Sequence, residues 1–556
     1  MYSTHYNDGL SVGGGLSEKV FAAARVLTRA AAVSFLLQFL ISCVVFRVMG
    51  FYRLMDADEG HFLSAIRGVY NGLVPCRDFF FQQMPLFPYP YVVAMKIFGY
   101  GYEPCIWVSV LCGAGLAVVT SGWFTRYGGG LMAGWIGWCL VMLNAPILFW
   151  TPTIKNHAMP LFFGVLALYA ASRPCGSKAS VFWWSALAGF AAMWSVGTRL
   201  LALPFTLLAG YWILARVIAQ PRSRNGMCGS IGFWAGASLP VLLILRSVFP
   251  HVWVFYFDVL GFHEIRSGSL GTFGTWQSVT AELYEMLCQG QFPAMLAVAL
   301  AVSAWGVVLH FRRTPGSNQR NAESATRTFA CSMPVLTPAY LTTVGIGASV
   351  LALLPAETFH QYFMVPMMFF ILASAPCWWF LSHPRKKAVG ICNAVLLLAI
   401  YGGTPWDDSI ELFNHREWVY PRFPKEYGLA DVRKISRTLA EVTGPDDPVF
   451  TTWQGFTFFA NRRELPGNEN FNARAIADKL TESQLHELHV ASNAELSAAI
   501  RRGEPKAIVL GFVVSRYRDV LFVRDPATGY YKLNSKLFQK YGLVQQIGLH
   551  EVWVRK

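Results

Sequence analysis

Residues 30–50 read AAAVSFLLQFLISCVVFRVMG, and this stretch decides the kind of fold. Its only charged residue is Arg47, and its length matches the roughly 20 apolar residues that an α-helix needs to cross a bilayer. Ten further apolar stretches are also long enough to cross: 104–124, 131–149, 158–172, 180–198, 200–219, 230–249, 291–310, 329–353, 362–380 and 389–403. The sequence therefore predicts a polytopic α-helical membrane protein with about 11 transmembrane helices.

The distribution of charge divides the chain into two parts. Only 14% of the 556 residues are charged, whereas about 25% is usual for a soluble protein. Of the 78 charged residues, 40 lie in 404–556, and the first 403 residues hold the rest. We predict a transmembrane domain over 1–403 and a soluble α/β domain over 404–556. In the soluble domain the hydrophobic pattern predicts helices over 430–442 and 473–479 and strands over 448–452 and 506–514. The net charge of +14 lies almost entirely in the membrane part, which argues against a nucleic-acid partner.

The orientation follows from one short segment, 85–101, which contains Pro85, Pro88 and Pro90. If this segment lies in the membrane interface without crossing, the loops on one side of the membrane hold 16 basic and three acidic residues. The loops on the other side hold nine basic and ten acidic residues. An excess of basic residues is typical of the cytoplasmic side of a membrane protein. We therefore predict a cytoplasmic N-terminus, an extracytoplasmic C-terminal domain, and large outer loops over 51–103 and 250–290.

The outer loops carry ionisable residues close to apolar spans, where charges are costly and often mark a substrate path. Asp56, Asp58 and Glu59 place three carboxylates within four residues. The other candidates are distributed over five outer loops: Arg77 and Asp78; Lys155 and His157; Arg199; His263 and Arg266; and His360 and Tyr362.

These residue types suit the transfer of a sugar from a lipid phosphate. The leaving phosphate is already stable as an anion, so the reaction needs one carboxylate to accept the acceptor's proton and cations to hold the phosphate. Asp58 or Glu59 is the candidate base. The candidates for the phosphate are the basic residues of the outer loops. A single displacement would invert the anomeric carbon.

The first outer loop also resembles that of the GT-C glycosyltransferases. The resemblance lies in Phe51-Tyr-Arg-Leu-Met-Asp-Ala-Asp-Glu-Gly-His61, in Gly72-Leu-Val-Pro-Cys-Arg-Asp-Phe-Phe80 and in the Pro-rich segment Met84–Pro88. Phe359-His-Gln-Tyr-Phe-Met-Val-Pro366 resembles the His-Tyr-then-Pro signature of a late span in the same family. The nearest branch contains lipid A aminoarabinose and galacturonic acid transferases, and the protein O-mannosyltransferases are more distant.

The resemblance implies a GT-C fold, a polyprenyl-phosphate-sugar donor and catalysis on the outer face of a bacterial inner membrane, with a lipid, glycan or protein as acceptor. Asp58 matches the catalytic Asp, Glu59 matches its partner, and Asp56 is an additional carboxylate. The chain departs from the aminoarabinose branch at Gln82-Gln83-Met84-Pro85, where that branch has a basic residue just before the proline. Arg77 or another cation must then hold the phosphate.

Two alternatives remain open from the sequence. Asp56, Asp58 and Glu59 offer oxygen ligands for a divalent metal ion, although the branch that the chain resembles does not depend on metal. No cofactor is otherwise indicated. A transporter or flippase of a lipid-linked glycan is the alternative function, but the two halves of the membrane part show no repeat of the kind expected for transporters.

Overall fold

The computed structural model describes residues 14–173, 177–219, 224–266, 291–312, 322–353, 360–382, 428–524 and 530–556, together with five isolated positions. The α-helices of the membrane part are Gly14–Tyr52, Glu59–Tyr70, Pro88–Phe98, Tyr102–Tyr127, Leu131–Met142, Ala145–Trp150, Ala158–Ala171, Lys178–Thr198, Leu203–Ala219, Arg224–Val248, Val252–Tyr256, Phe262–Arg266, Gln291–Arg312, Ala322–Leu353 and Met364–Ser374. Short 3₁₀ helices cover Leu200–Ala202, His360–Phe363 and Ala375–Ser382, and a π-helical turn covers Phe257–Gly261.

Ten of the eleven predicted spans coincide with helices, and the eleventh, 389–403, lies almost wholly outside the described residues. Seven described helices are long and apolar enough to cross a membrane, and three more apolar helices are shorter. The predicted span 131–149 is broken into two helices at Asn144. The Asn144 side chain accepts a hydrogen bond from the backbone N–H of Ile147, and Pro146 occupies the first turn of the second helix. Proline suits a helix start because its missing N–H is not needed there.

The segment 85–101 forms an 11-residue helix, Pro88–Phe98. At 1.5 Å per residue this helix is only about 16 Å long, about half the thickness of the hydrocarbon core. Its length therefore agrees with the prediction that this segment does not cross the membrane.

Close helix packing in the membrane part depends on glycine. The helices Lys178–Thr198 and Arg224–Val248 approach so closely that a Cβ atom on Gly189 would lie 1.9 Å from the carbonyl oxygen of Phe233. A Cβ atom on Gly236 would lie 1.8 Å from the carbonyl oxygen of Ala186. Small residues at such contacts let helix backbones pack in lipid, where no hydrophobic effect drives them together.

The C-terminal domain is α/β, as predicted. Its strands are Pro448–Thr451 (β1), Arg463–Glu464 (β2), Ala507–Leu510 (β3), Phe522–Arg524 (β4), Tyr531–Leu533 (β5), Tyr541–Ile547 (β6) and His550–Arg555 (β7). β2, β1 and β3 pair in parallel, and β7 lies antiparallel between β3 and β6, while β4 and β5 form a separate pair. Its α-helices are Leu429–Val442, Gly455–Ala460, Glu482–Glu487, Asn493–Arg502 and Arg518–Leu521, and Phe471–Ala475 and Val514–Tyr517 are 3₁₀ helices.

The C-terminal domain packs directly on the loop 51–103, which the sequence predicts to be the first outer loop. Phe62, Phe81 and Phe87 of that loop belong to the same hydrophobic core as Phe450 and Trp453 of the domain. Burial of large aromatic side chains is a major source of stability at such contacts. The soluble domain is therefore fixed against the loop that carries the candidate carboxylates.

Candidate active site

The candidate carboxylates lie in a tight turn between two helices. The first helix ends at Tyr52, and the next begins at Glu59 with Asp58 as its N-cap residue. The backbone N–H groups of Glu59 and Gly60 donate to the carbonyl oxygens of Asp56 and Ala57. This turn directs the three carboxylates into different surroundings.

Glu59 is fully buried, and its carboxylate is occupied by protein donors. Arg53, itself buried, donates from Nη1 to Oε2 at 2.8 Å and from Nη2 to Oε1 at 2.5 Å. The backbone N–H of Asp56 donates to Oε2 at 2.9 Å, and that of Ile154 donates to Oε1 at 2.8 Å. Glu59 thus ties the turn to the segment before the helix Ala158–Ala171. Because the two carboxylate oxygens of Glu59 already accept four hydrogen bonds from the protein, this side chain is better suited to a structural role than to the role of a general base.

Lys155 joins the other two carboxylates. Its ammonium Nζ lies 3.0 Å from Oδ1 of Asp56 and 2.9 Å from Oδ2 of Asp58. The side chains of Lys155 and Asp56 are buried, whereas that of Asp58 is 40% exposed. Asp58 is therefore the carboxylate of this group that a substrate can reach.

The two aspartates have opposite proton affinities. Burial raises the pKa of Asp56, and the neighbouring carboxylates of Asp58 and Glu59 oppose the effect of Lys155. For Asp58, burial acts in the same direction, but the Lys155 ammonium and the Arg266 guanidinium hold the pKa well below its usual value. Asp58 is therefore ionised at neutral pH, as a general base must be.

A second group of predicted residues lies beside this turn. The Arg199 guanidinium donates to Nδ1 of His157 and lies 5.0 Å from the ring centroid of Tyr362. Arg199 and His157 are both buried. Burial, with Arg199 and Lys155 nearby, lowers the pKa of His157 well below its usual value, so the imidazole is neutral. Three predicted residues from three different loops thus form one cluster around the buried guanidinium of Arg199.

Arg77 and Asp78 form a pair of their own. The Arg77 guanidinium donates from Nε and Nη2 to the two carboxylate oxygens of Asp78, at 2.8 Å each. The backbone N–H of Val74 donates to the same carboxylate, and Nε2 of His489 contacts the carbonyl oxygen of Arg77. The described contacts of Arg77 therefore hold the loop together, and they do not join it to Lys155 or Arg199.

The remaining predicted residues lie on the neighbouring outer elements. His263 and Arg266 belong to the short helix Phe262–Arg266, and His360 begins the 3₁₀ helix that contains Tyr362. Arg266 is close enough to lower the pKa of Asp58. Arg266 thus lies in the electrostatic environment of Asp58, and Tyr362 lies beside Arg199.

The structure adds residues that the sequence did not single out. The indole N–H of Trp453 donates to the carbonyl oxygen of Ala57 at 2.8 Å, between the two aspartates. A Cβ atom on Gly60 would lie 2.3 Å from that indole nitrogen, so a glycine is required there. Asn472 contacts His61. Arg53 and His61 are close to the carboxylates in the sequence, so their position could have identified them. Trp453 and Asn472 are about 400 residues away, and only the fold brings them to the turn.

The site already contains the positive charge that its carboxylates require. Lys155 is bound to Asp56 and Asp58, and Arg53 is bound to Glu59. Among the described residues, no group of three or more His, Cys, Asp or Glu side chains is arranged to hold a metal ion. The donor set around these carboxylates therefore fits an ammonium and a guanidinium better than a hard divalent cation.

No protein-family model matches the chain, and no curated protein matches it. Several solved structures, however, are similar to it. The structure is similar to that of ArnT from Cupriavidus metallidurans in the apo state, with 14% identity over 94% of this chain and 98% of that chain and a TM-score of 0.49. ArnT from the same organism bound to undecaprenyl phosphate has 15% identity over 93% and 97% of the two chains and a TM-score of 0.48.

A third similar structure is the arabinofuranosyltransferase AftD from Mycobacteria. It has 14% identity and a TM-score of 0.44, and the match covers 96% of this chain but 40% of AftD. The solved structures that this chain is similar to thus include ArnT and AftD, and ArnT covers it almost from end to end.

Proposed function

We propose that this protein is a membrane glycosyltransferase of the GT-C type, which moves a sugar from a polyprenyl phosphate to a lipid, glycan or protein acceptor. The observation that carries the proposal is the position of Asp58. It is a reachable, ionised carboxylate held by Lys155, and it lies within the electrostatic influence of Arg199 and Arg266. The resemblance of the first outer loop to GT-C enzymes supports the same reaction.

In the proposed reaction, Asp58 accepts the proton of an acceptor hydroxyl. The hydroxyl oxygen forms a bond to the anomeric carbon as the bond from that carbon to the phosphate oxygen breaks. The phosphate leaves as an anion, so no acid has to protonate it, and the anomeric configuration inverts. Arg199 and Arg266 stabilise the departing phosphate. Lys155 keeps Asp58 ionised until the proton is transferred.

We place this reaction on the outer face of a bacterial inner membrane. The excess of basic residues on the opposite loops supports this orientation, and the C-terminal domain then lies outside the cytoplasm. We assign Glu59 a structural role, because its four donors leave no free oxygen for a substrate proton. Lys155 occupies the position where a metal ion would otherwise balance Asp56 and Asp58.

The direct test is the release of free polyprenyl phosphate from a bacterial membrane lipid extract by the purified protein. Release that depends on the protein and on an acceptor in the extract is the expected result. Protein that is folded and releases none, with acceptor present, contradicts the proposal and favours transport of a lipid-linked glycan.

Arg199 and Arg77 are expected to differ in their effect on binding of the donor phosphate. Arg199→Met should raise the Kd for undecaprenyl phosphate by roughly 10- to 100-fold, since a hydrogen bond to a charged group contributes about 1.5–3 kcal/mol. Arg77→Met should change it by less than about twofold, because Arg77 is engaged by Asp78.

The measurement is titration of each detergent-purified variant with undecaprenyl phosphate. Arg199→Lys is the control for charge, and it should recover part of the loss without the planar two-pronged geometry of arginine. Equal Kd values for the wild type and Arg199→Met would remove Arg199 from the phosphate site.

A further inference from the structure

His61 has an unusual hydrogen-bonding state for a buried side chain. It is only 3% exposed, and its ring packs against Phe62 and Phe471 with centroid distances of 4.3 and 5.7 Å. The amide Nδ2 of Asn472 lies 3.2 Å from its Nδ1 and donates to it. The imidazole proton must then be on Nε2. Among the residues that the structure describes, Nε2 of His61 has no hydrogen-bond partner.

An unpartnered N–H in such a position calls for a ligand. A buried donor left without an acceptor is destabilising, and native proteins rarely leave one without a reason. His61 follows Asp58 by three residues at the start of the helix Glu59–Tyr70, so the two lie on the same face of that helix. The free donor therefore belongs to the surroundings of the exposed carboxylate.

The charge state of His61 agrees with this position. Burial, together with the charges of Lys155 and Arg266, lowers the pKa of His61 to about 4 against the opposing effect of Asp58. The ring is therefore neutral at pH 7, with one N–H to donate and no charge to disturb Asp58.

His157, which also lies near Lys155, repeats the same arrangement. Its Nδ1 accepts a hydrogen bond from Arg199, so its proton is also on Nε2. His157 is 3% exposed, and its Nε2 also lacks a partner among the described residues. Two neutral imidazoles, each oriented through Nδ1 by another side chain, thus present free Nε2–H donors near one lysine.

We propose that the C-terminal domain completes the active site, because Asn472 holds His61 so that its Nε2–H donates a hydrogen bond to a substrate oxygen beside Asp58. This inference rests on the proposed function. The ligand atom is an oxygen acceptor of the bound substrate, which is either a sugar oxygen or a phosphate oxygen. Asn472 is a positioning residue, because it acts through His61.

Two substitutions of His61 distinguish the contributions of its two ring nitrogens, Nδ1 and Nε2. The amide of His61→Gln places an N–H near the position of Nε2, whereas the amide of His61→Asn reaches only the position of Nδ1. We expect His61→Asn to lower the rate of polyprenyl phosphate release by roughly tenfold, which corresponds to the loss of one hydrogen bond to the substrate. His61→Gln should recover most of that loss. His486→Asn, which changes an exposed histidine of the C-terminal domain, is the matched control and should behave as wild type.

Asn472→Ala tests the contribution of the C-terminal domain. It should reproduce the loss seen for His61→Asn, and the double variant should lose little more than either single variant, because the two side chains act through one contact. The thermal unfolding midpoint of each purified variant is measured beside the rate. A loss of rate with an unchanged midpoint, recovered by glutamine at position 61, supports the proposal.

Titration with undecaprenyl phosphate distinguishes the two kinds of oxygen. If His61→Asn raises the Kd, the donor binds the phosphate, and if only the release rate falls, it binds a sugar or acceptor oxygen. Equal rates for wild type and His61→Asn, or equal losses for His61→Asn and His61→Gln, overturn this inference alone. Wild-type protein that releases no polyprenyl phosphate overturns the proposed function instead.

Discussion

Replacing Asp58 by Asn is expected to lower the release of polyprenyl phosphate by about 10²–10⁴-fold, the contribution typical of a positioned general base. Asn has the shape of Asp but cannot accept a proton from the acceptor hydroxyl. Asp58 is the carboxylate of the turn that is both 40% exposed and held ionised by Lys155. The measurement is the initial rate of release from a membrane lipid extract, with wild-type and variant protein at equal concentration.

Two other aspartates serve as comparisons. Asp519→Asn changes an exposed carboxylate of the C-terminal domain that pairs with Arg518, and it should leave the rate unchanged. Asp56→Asn should have a smaller effect than Asp58→Asn, because Asp56 is buried behind Lys155 and contacts the backbone N–H of Asp58. A full rate for Asp58→Asn together with a lost rate for Asp56→Asn would move the base to Asp56.

Replacing Arg53 by Met is expected to lower the free energy of unfolding by about 3–5 kcal/mol, because it leaves a buried carboxylate without its partner. The guanidinium of Arg53 makes two hydrogen bonds to Glu59, and neither side chain is exposed enough for water to replace them. The loss should appear as a lower unfolding midpoint of the detergent-purified protein, and the turn around Asp58 should be disordered at lower temperature than the rest.

The matched control is Arg433→Met. Arg433 forms an exposed pair with Glu103, at 3.3 Å, so its removal should cost less than about 1 kcal/mol. Arg53→Met combined with Glu59→Gln should recover part of the lost stability, since the charge is removed while an oxygen still accepts from the backbone. Equal midpoints for Arg53→Met and Arg433→Met would mean that the buried pair does not hold the turn.

Much of the secondary structure could be predicted because it depends on local patterns. The helix predicted over 430–442 is Leu429–Val442, and its buried residues Leu429, Val432, Ile435 and Leu439 recur every three to four positions. The strand predicted over 448–452 is Pro448–Thr451. The helix predicted over 473–479 is wrong, since the structure has a short 3₁₀ helix over Phe471–Ala475. The Asn470 side chain accepts a hydrogen bond from the N–H of Asn472, which fixes a turn there.

The strand predicted over 506–514 ends early, at Leu510. Hydrophobicity continues through Phe512 and Val514, but Val513 has a positive φ of 51° and the chain turns into a 3₁₀ helix. An apolar run indicates burial, and it does not by itself determine where a strand stops.

The sequence singled out several residues that the structure brings together, but it did not indicate how they pair. The carboxylate turn and the cations Lys155 and Arg199 stand out because charges next to apolar spans are costly. Their pairing could not be predicted, because Lys155 lies about 100 residues from Asp56 and Asp58. In the sequence, Arg77 looked equivalent to the other candidate cations and Glu59 to the other candidate carboxylates. In the structure, Arg77 is paired with Asp78 and Glu59 is paired with Arg53.

The sequence by itself predicted the apolar helices of the membrane part, the α/β class of the C-terminal domain and the loop that carries the carboxylates. These properties follow from the hydrophobicity and charge of neighbouring residues in the sequence, which are the same whatever the tertiary fold. Only the tertiary structure decided that Asp58 is the accessible carboxylate, and that Trp453 and Asn472 contact its turn. The proton affinity of a side chain and the access of substrate to it depend on which distant groups surround it, and folding alone brings those groups together.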